Sequence, residues 1–367
     1  MTPGPTRVPE RVLRAGARPM IHHRSPEFSR ELASLLELIA PVFGTRTAVL
    51  PIHSTGRGAM EAAICNLFSP GDEIAVCCNG RFGEMWARIA EPYGLVVHRF
   101  STDWAREIDL QAFDGLMDRR PGIRAIALTY CDTSTGVRND VETACRAARA
   151  RGVLALVDGV SAIGGMPLRF DDWGADVAIT ASQKCLMSSP GLAFAAVSDR
   201  AWRARRTSTL PHGYFDFEEI RTFITKPAPQ PPGTPPVHTM LQVGEALRMM
   251  HEEGLDALYR RHDLMACAAR HGTAAMGLSM QCPQLAGFAT TVTAIALPAG
   301  VSPGDVRDRL RARGFETAEA LGPYAGSAFR IGHMGDIRVE DVERTLAALK
   351  DVLIASSASS ASSESSA

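Results

Sequence analysis

The chain has 367 residues, of which 46% are hydrophobic and 22% are charged, and its formal net charge is -1. This is the composition of an ordinary globular protein, and without an excess of positive charge neither nucleic acid nor an anionic membrane is an expected partner. No apolar run reaches the roughly 20 residues of a membrane span, and no secretory signal opens the sequence, so we expect a cytoplasmic protein. The eight cysteines include no CxxC pair, which argues against a disulfide framework and against a metal site.

Short apolar runs alternate with helical patterns from about residue 45 to residue 200. Runs that are apolar at consecutive positions are typical of strands buried on both faces of a sheet. They occupy residues 73–76, 125–129, 153–157, 176–180 and 193–197. The predicted fold class is therefore α/β, with a mainly parallel sheet between helices. Asn139 and Glu142 predict the start of one crossover helix, in the pattern of a capping box, and Gly152 predicts its end.

A proline-rich stretch at residues 226–236 predicts an extended connection. A long helical pattern over 238–277, broken near Gly254, and a smaller α+β unit follow it. A chain of this length favours two domains with a cleft between them. The predicted division is an N-terminal arm (1–20), a large domain (21–237), a helical connection with a small C-terminal domain (238–354), and a disordered tail of serine and alanine (355–367).

The segment 54–58 lies just before a helical pattern and contains Thr55, Gly56 and Arg57. Small residues at a helix start let a phosphate approach the backbone N–H groups and the positive end of the helix dipole. An ordinary glycine-rich helix start would have the same sequence. The segment is therefore a candidate phosphate site with a structural alternative.

Two ionisable residues follow strands of the predicted sheet. Asp158 comes directly after the run 153–157, where an α/β sheet presents its ligand-binding edge. It could pair with a protonated ring nitrogen of a cofactor, or it could simply cap the next turn. Lys184 lies beyond the next strand among small and apolar residues. Such surroundings lower the pKa of an amine and favour Schiff-base chemistry, although a lone lysine is also commonly a solvated charge.

Six motifs occur in a specific order along the chain. They are Gly58–Ala63, Asn79–Gly83, Asp132–Val137, Val157–Ser161, Ser182–Lys184 with Pro190–Gly191, and Phe329–Gly335. Together they resemble the class V aminotransferases, enzymes of fold type I that depend on pyridoxal phosphate (PLP), and most of all the alanine/serine–glyoxylate or –pyruvate aminotransferases. The resemblance runs from Pro3 to about residue 354. It implies a large domain with a mainly parallel seven-stranded sheet, a smaller C-terminal α+β domain, and PLP as the cofactor.

The resemblance also implies roles for single residues. Lys184 would hold PLP as a Schiff base and carry the proton during transfer. Asp158 would pair with the pyridinium nitrogen, and Val160 of the same motif would contact the cofactor. Phe82 would stack on the ring, unless it is an ordinary core aromatic residue. Thr133 would hydrogen-bond near the phenolic oxygen of the ring.

The remaining implied contacts concern the phosphate and the substrate. The residues around the phosphate would be Thr55, Gly56, Arg57 and Gln183. Thr234, in the proline-rich stretch, would reach the phosphate of a partner subunit, which implies a homodimer with shared active sites. Arg330 would bind the α-carboxylate of the substrate through its two-pronged guanidinium, although without the resemblance it would be taken for a surface arginine.

Two positions depart from the family pattern. Arg57 stands where relatives carry histidine or another uncharged residue, so its contact could be with the phosphate, with the substrate or with neither. Pro231 falls where some relatives use a tyrosine for the phosphate of the partner subunit. The assignments around the phosphate therefore depend most on the structure.

The expected activity is a ping-pong transamination from a small amino acid such as alanine or serine to glyoxylate or pyruvate. A lyase or desulfurase of the same fold is an alternative, although a desulfurase needs a cysteine in a mobile loop. Transamination of aminoethylphosphonate is another. From a different functional class, the chain could be a PLP-binding regulatory module without catalytic activity.

Overall fold

The computed structural model describes residues 1–101, 103–282 and 287–364, with side chains described up to Ala355. Among these residues the α-helices are α1 (Glu10–Gly16), α2 (Pro26–Phe43), α3 (Gly56–Leu67), α4 (Arg81–Ala90), α5 (Leu110–Arg119), α6 (Val141–Ala150), α7 (Phe170–Trp173), α8 (Asp199–Arg205), α9 (Phe217–Ile224), α10 (Val237–Glu253), α11 (Leu255–Ala275), α12 (Pro303–Ala312) and α13 (Val339–Glu364). No helix in these ranges is long and apolar enough to cross a bilayer.

The strands form one large sheet, one small sheet and a short hairpin. They are β1 (Leu50–Ile52), β2 (Glu73–Cys77), β3 (Val96–Phe100), β4 (Ile123–Thr129), β5 (Cys131–Asp132), β6 (Val137–Arg138), β7 (Leu154–Asp158), β8 (Val177–Ala181), β9 (Ala193–Val197), β10 (Val292–Ala296), β11 (Ala318–Glu319) and β12 (Ala328–Gly332). The large sheet has seven strands in the order β1-β9-β8-β7-β4-β2-β3, and β9 is antiparallel to both of its neighbours, β1 and β8. All five predicted runs are strands of this sheet, which confirms the α/β class.

Both faces of the large sheet are buried because successive side chains point to opposite sides of each strand. In β4, Ile126 and Leu128 join a core that includes α2, α6 and α10. Ala125 and Ala127 of the same strand join a second core that includes α3, α4 and α9. Two apolar faces explain why the strand runs are apolar at consecutive positions rather than alternating.

The start of α6 differs by one residue from the prediction. Asp140, not Asn139, is the N-cap, and its carboxylate accepts a hydrogen bond from the Thr143 N–H. Asn139 is buried instead, where its amide donates to the Thr129 carbonyl at 2.7 Å and its Oδ1 accepts from Asn79 at 2.7 Å. Asn139 therefore ties the end of β4 to the loop after β2, which a short-range capping pattern cannot indicate.

The C-terminal unit has a core of its own. The antiparallel strands β10, β12 and β11 pack against α11, α12 and α13. Its buried side chains include Phe329 and Ile331 of β12 and Leu349 of α13. The predicted break near Gly254 separates α10 from α11, and the proline-rich stretch is neither helix nor strand, as predicted.

The last helix extends farther than the sequence indicated. The backbone of α13 is helical to Glu364, through much of the segment for which a disordered tail was predicted. Alanine has the highest helix propensity, so a helix anchored by packing can continue into such a segment. The side chains from residue 356 and all of residues 365–367 lie outside the described part, and disorder of the tail in solution stays a prediction.

Candidate active site

Residues 182–189, here called the lysine loop, follow β8 at the edge of the sheet where the parallel strands end. The Lys184 side chain is partly buried, and its Nζ donates a hydrogen bond to the Pro3 carbonyl at 2.5 Å. The loop is closed by a hydrogen bond from the Ser182 hydroxyl to the Ser189 carbonyl at 2.6 Å. Burial lowers the pKa of the Lys184 amine, so part of it is neutral and nucleophilic nearer to neutral pH than in an exposed lysine.

Asp158 is the last residue of β7 and is only 3% exposed. Its carboxylate accepts a hydrogen bond from the Val160 N–H at 2.9 Å and a longer one from the Thr129 hydroxyl at 3.4 Å. Burial raises the pKa of Asp158 to about 7 despite these bonds, and the positive charge of Lys184 acts in the opposite direction. A buried carboxylate of this kind is a place for a cation.

Phe82 lies in the first turn of α4, and Asp132 holds that turn. The Asp132 carboxylate accepts hydrogen bonds from the N–H groups of Phe82 at 2.8 Å and Gly83 at 3.3 Å. Gly80 caps the helix, and a Cβ on it would overlap the Asp132 carboxylate. The carboxylate thereby satisfies free N–H groups at the helix start and fixes the position from which the partly buried Phe82 ring projects.

Arg330 lies in β12 of the small sheet and is held by two backbone carbonyls. Its Nε donates to the Glu319 carbonyl and one terminal nitrogen donates to the Thr133 carbonyl, both at 2.8 Å. Arg330 is 8% exposed, and burial lowers the pKa of its guanidinium while the charge of Asp132 opposes that shift. The interpretation of Arg330 as a surface residue is therefore wrong, and its contact with Thr133 places a cation where the two domains meet.

The candidate phosphate site is at the start of α3. Gly56 lies so close to Val160 that an added Cβ would be 2.5 Å from a methyl group of that valine. This contact brings the helix start next to the Asp158 turn. Thr55 is the N-cap residue and forms no side-chain capping bond, which leaves first-turn N–H groups available to an anion. Arg57 is exposed on the same turn.

Thr234 lies in the proline-rich stretch between α9 and α10. It is exposed and lines a groove of about 290 Å³ together with His53 and Tyr214. Pro231, the other position of interest in this stretch, is buried, and its carbonyl accepts a hydrogen bond from Arg24 at 2.8 Å.

The predicted residues fit PLP on three grounds. The buried Asp158 would gain a counter-ion from a protonated ring nitrogen. Thr133 Oγ1 and Gln183 Oε1 are buried and have no hydrogen-bond partner among the described residues. The Thr133 hydroxyl can therefore donate to or accept from a ligand, and the Gln183 amide oxygen can accept from one. The uncapped start of α3 offers N–H groups to a phosphate. The described residues include no group of three or more His, Cys, Asp or Glu that could hold a metal ion.

Contacts and electrostatic interactions connect most of the predicted set. Lys184, Asp158 and Arg330 interact with one another or with Asp132. The set joined in this way also includes Gly56, Phe82, Thr133 and Val160. Sequence reasoning missed Asp132 as the residue that orders the site, although it opens one of the six motifs.

The scarcity of lysine was a further signal in the sequence. The chain contains only three lysines, Lys184, Lys226 and Lys350. Lys226 and Lys350 are exposed, whereas Lys184 is partly buried. In a chain that uses arginine for nearly all its positive charge, a lysine among apolar residues indicates a need for an amine rather than for a cation.

Comparison with known proteins identifies the family of this chain. The profile of the family described as Aminotransferase class-V matches residues 3–318. A protein of Synechococcus sp. (strain PCC 6716) named soluble hydrogenase, small subunit, is 38% identical over 96% of this chain and 92% of its own length. The L-aspartate–glyoxylate aminotransferase of Paracoccus denitrificans (strain Pd 1222) is 36% identical over 91% of this chain and 86% of its own length.

A solved structure extends the agreement to the whole fold. The alanine–glyoxylate aminotransferase of Nostoc sp. superposes with a TM-score of 0.91 and 30% identity, over 96% of this chain and 94% of that one. The chain belongs to the class V aminotransferases and is a PLP-dependent transaminase of fold type I.

Proposed function

We propose that this transaminase moves an amino group from a small amino acid to glyoxylate or pyruvate in two half-reactions. The donor leaves as a 2-oxo acid before the acceptor binds, and the amino group stays in the site between the two steps. The observation that carries the proposal is a partly buried amine at Lys184, whose pKa is lowered by burial, in the same site as a buried guanidinium at Arg330. One group suits proton transfer, and the other suits binding of the carboxylate that every substrate of this reaction carries.

Each residue of the site has a separate proposed role in the reaction. PLP, when bound, supplies an electron sink for the bond that is broken at the substrate α carbon. Lys184 Nζ is the group proposed to hold the cofactor between turnovers, to take the proton from the α carbon and to return it at the other end of the reacting system. Asp158 keeps a negative charge opposite the ring nitrogen. Arg330 orients the substrate carboxylate through its guanidinium.

The acceptor is proposed from the relatives and the donor from the site. The Paracoccus and Nostoc proteins are both named as glyoxylate aminotransferases. Among the predicted residues joined by these contacts, Arg330 is the buried arginine, and Arg57 is exposed in the first turn of α3. A single buried carboxylate-binding group suits alanine, serine or glycine, which have one carboxylate.

No cysteine is placed as a desulfurase would need. Seven of the eight are buried and Cys267 is only partly exposed, and burial raises the pKa of Cys131 to about 12. A buried, protonated thiol is a poor nucleophile. Desulfuration is therefore not the expected activity.

The test is a donor screen with the purified holoenzyme. Alanine, serine, glycine, aspartate and aminoethylphosphonate are each incubated with glyoxylate or pyruvate, and the 2-oxo product and the newly formed amino acid are both measured. Transfer from alanine or serine to glyoxylate is expected. A preference for aspartate or the phosphonate would overturn the donor class, and release of sulfide or pyruvate from cysteine without an acceptor would overturn transamination as the main activity.

A homodimer with shared sites is the second part of the proposal. Thr234 is exposed on a stretch whose carbonyls at Pro231 and Pro232 are fixed by Arg24, so its position is defined although it lies outside the connected set. We propose that its hydroxyl binds the PLP phosphate of a second chain. Thr234→Val is expected to weaken PLP retention roughly tenfold, as the loss of one hydrogen bond to a charged group implies.

The control for this prediction is Thr207→Val, which removes an exposed hydroxyl that bonds only locally to the Ala204 carbonyl. Light scattering gives the number of chains, and dialysis followed by cofactor absorbance gives PLP retention. A monomer in solution, or equal retention in both variants, would contradict the shared-site arrangement.

A further inference from the structure

The first six residues, here called the N-terminal strap, lie against the lysine loop. The Pro3 carbonyl accepts the hydrogen bond from Lys184 Nζ at 2.5 Å. The Thr6 hydroxyl donates to the Lys184 carbonyl at 2.9 Å, and the Thr6 N–H donates to the Gln183 carbonyl at 3.0 Å. The strap thus contacts both the side chain and the backbone of the proposed catalytic lysine.

Glycine makes the approach of strap and lysine possible. A Cβ on Gly4 would lie 2.5 Å from Lys184 Nζ, and the φ of Gly4 is +121°, a conformation that other residues rarely adopt. No side chain other than hydrogen fits at this position without moving the lysine or the strap.

The strap is fixed at its other end to the strand of Arg330. The Gly332 N–H donates to the Met1 carbonyl at 2.8 Å, and a Cβ on Gly332 would overlap the Thr2 carbonyl. Gly332 lies two residues after Arg330 in β12. The strap therefore bridges the lysine loop of the large domain and the arginine strand of the small sheet.

The helix that follows the strap gives it a rigid base. Arg11 of α1 donates hydrogen bonds to Glu245 and Glu252 of α10. Val12 of α1 is fully buried in the main core. A segment held at both ends and at its base can orient a group that it touches.

We infer that the N-terminal strap is a positioning element of the active site, in which the Pro3 carbonyl orients the amine of Lys184 whenever that amine is not bound to the cofactor. The inference rests on the proposed role of Lys184. A carbonyl oxygen accepts a hydrogen bond from either the ammonium or the neutral amine, and in the neutral amine this bond fixes the direction of the lone pair. The strap thereby sets both the orientation and the charge of the attacking nitrogen.

The test measures how the apoprotein captures PLP. The rate at which the visible absorption band of lysine-bound cofactor forms is followed over a range of pH for the wild type and for Gly4→Ala. At high pH, where the amine is neutral in both proteins, the rate in Gly4→Ala is expected to fall roughly tenfold because the lone pair is no longer directed. The midpoint pH of the profile is expected to fall by about one unit, because the carbonyl favours the charged amine by a charge-assisted bond.

Two further comparisons separate positioning from loss of structure. Gly71→Ala also places a side chain at a positive φ, which is +85° for Gly71, but nothing lies within 4 Å of its added Cβ. Thr6→Val removes the bond to the Lys184 carbonyl and should slow capture, while Thr6→Ser keeps the hydroxyl and should restore it. If Gly4→Ala does not fold, the Thr6 pair decides.

The outcomes are distinct. The inference would be overturned if Gly4→Ala had the wild-type rate and midpoint, or if Gly4→Ala and Gly71→Ala had equal effects. It would also be overturned if Thr6→Ser failed to restore capture. A normal band in Lys184→Ala would instead overturn the proposed role of the lysine, and with it the basis of the inference.

Discussion

Replacement of Lys184 by alanine is expected to lower kcat by roughly 10⁴-fold while leaving the fold intact. General acid–base catalysis by a positioned group contributes about 10²–10⁴-fold, and loss of the covalent anchor for the cofactor adds to it. The side chain is partly buried but is not part of the hydrophobic clusters, so its removal creates little unfavourable cavity. Steady-state rates with the best donor, together with a thermal melting curve, measure the two effects separately.

The control uses the other lysines of the chain. Lys226 and Lys350 are exposed, and alanine at either position should leave kcat within about twofold of the wild type, as surface changes away from special features usually do. Borohydride reduction followed by peptide mapping should place the trapped cofactor on Lys184. Partial recovery of the Lys184→Ala rate by an added small amine would support the proton-transfer role, whereas cofactor trapped on Lys226 or Lys350 would refute the assignment.

The central sheet could be predicted from the sequence because its inner strands are buried on both faces. The strands of this sheet that the sequence analysis did not identify are its two edges, β1 and β3. β1 has only three residues and contains Pro51. β3 carries His98 and Arg99, and its Val96 is 46% exposed. β1 is buried but too short to give a recognisable apolar run, whereas β3 is largely open to solvent and so lacks the continuous apolar run on which the prediction depended.

The site could be predicted as an ordered set of residues but not as a set of contacts. The order of Asp158 and Lys184 follows from the parallel strands, whose carboxyl ends meet at one edge of the sheet. The bond between Pro3 and Lys184 joins residues 181 positions apart, and the bond from the Phe82 N–H to Asp132 joins residues 50 apart. Such contacts depend on how loops from different elements meet, which no local pattern encodes.

Asp158→Asn in the apoprotein is expected to raise the free energy of unfolding at pH 8 by roughly 2–4 kcal/mol and to have little effect near pH 4. The pKa of Asp158 is raised by burial from 3.8 to about 7. A carboxyl with a raised pKa is harmless to the folded state below pH 3.8, and its cost grows between pH 3.8 and about 7 and stays constant above that. Asparagine has no charge to bury, so the variant avoids this cost. Denaturant unfolding at several pH values measures the difference.

Asp172→Asn is the matched control, because it makes the same chemical change at an exposed carboxylate. It should leave the free energy of unfolding nearly unchanged at every pH. A loss of stability in Asp158→Asn at all pH values would mean instead that the bond from the Val160 N–H outweighs the cost of burying the charge.

The same variant tests the pairing with the cofactor, since adding PLP should reverse the order of stability. A protonated ring nitrogen beside Asp158 converts an unpaired buried charge into a buried ion pair, and removing one partner of such a pair typically costs about 3–5 kcal/mol. Wild-type holoenzyme should therefore be more stable than Asp158→Asn holoenzyme at pH 8, although the apoproteins rank the other way. If the wild type and Asp158→Asn have the same order of stability with PLP as without it, Asp158 does not carry the counter-charge of the ring nitrogen. The buried carboxylate then has a purely structural role at the end of β7.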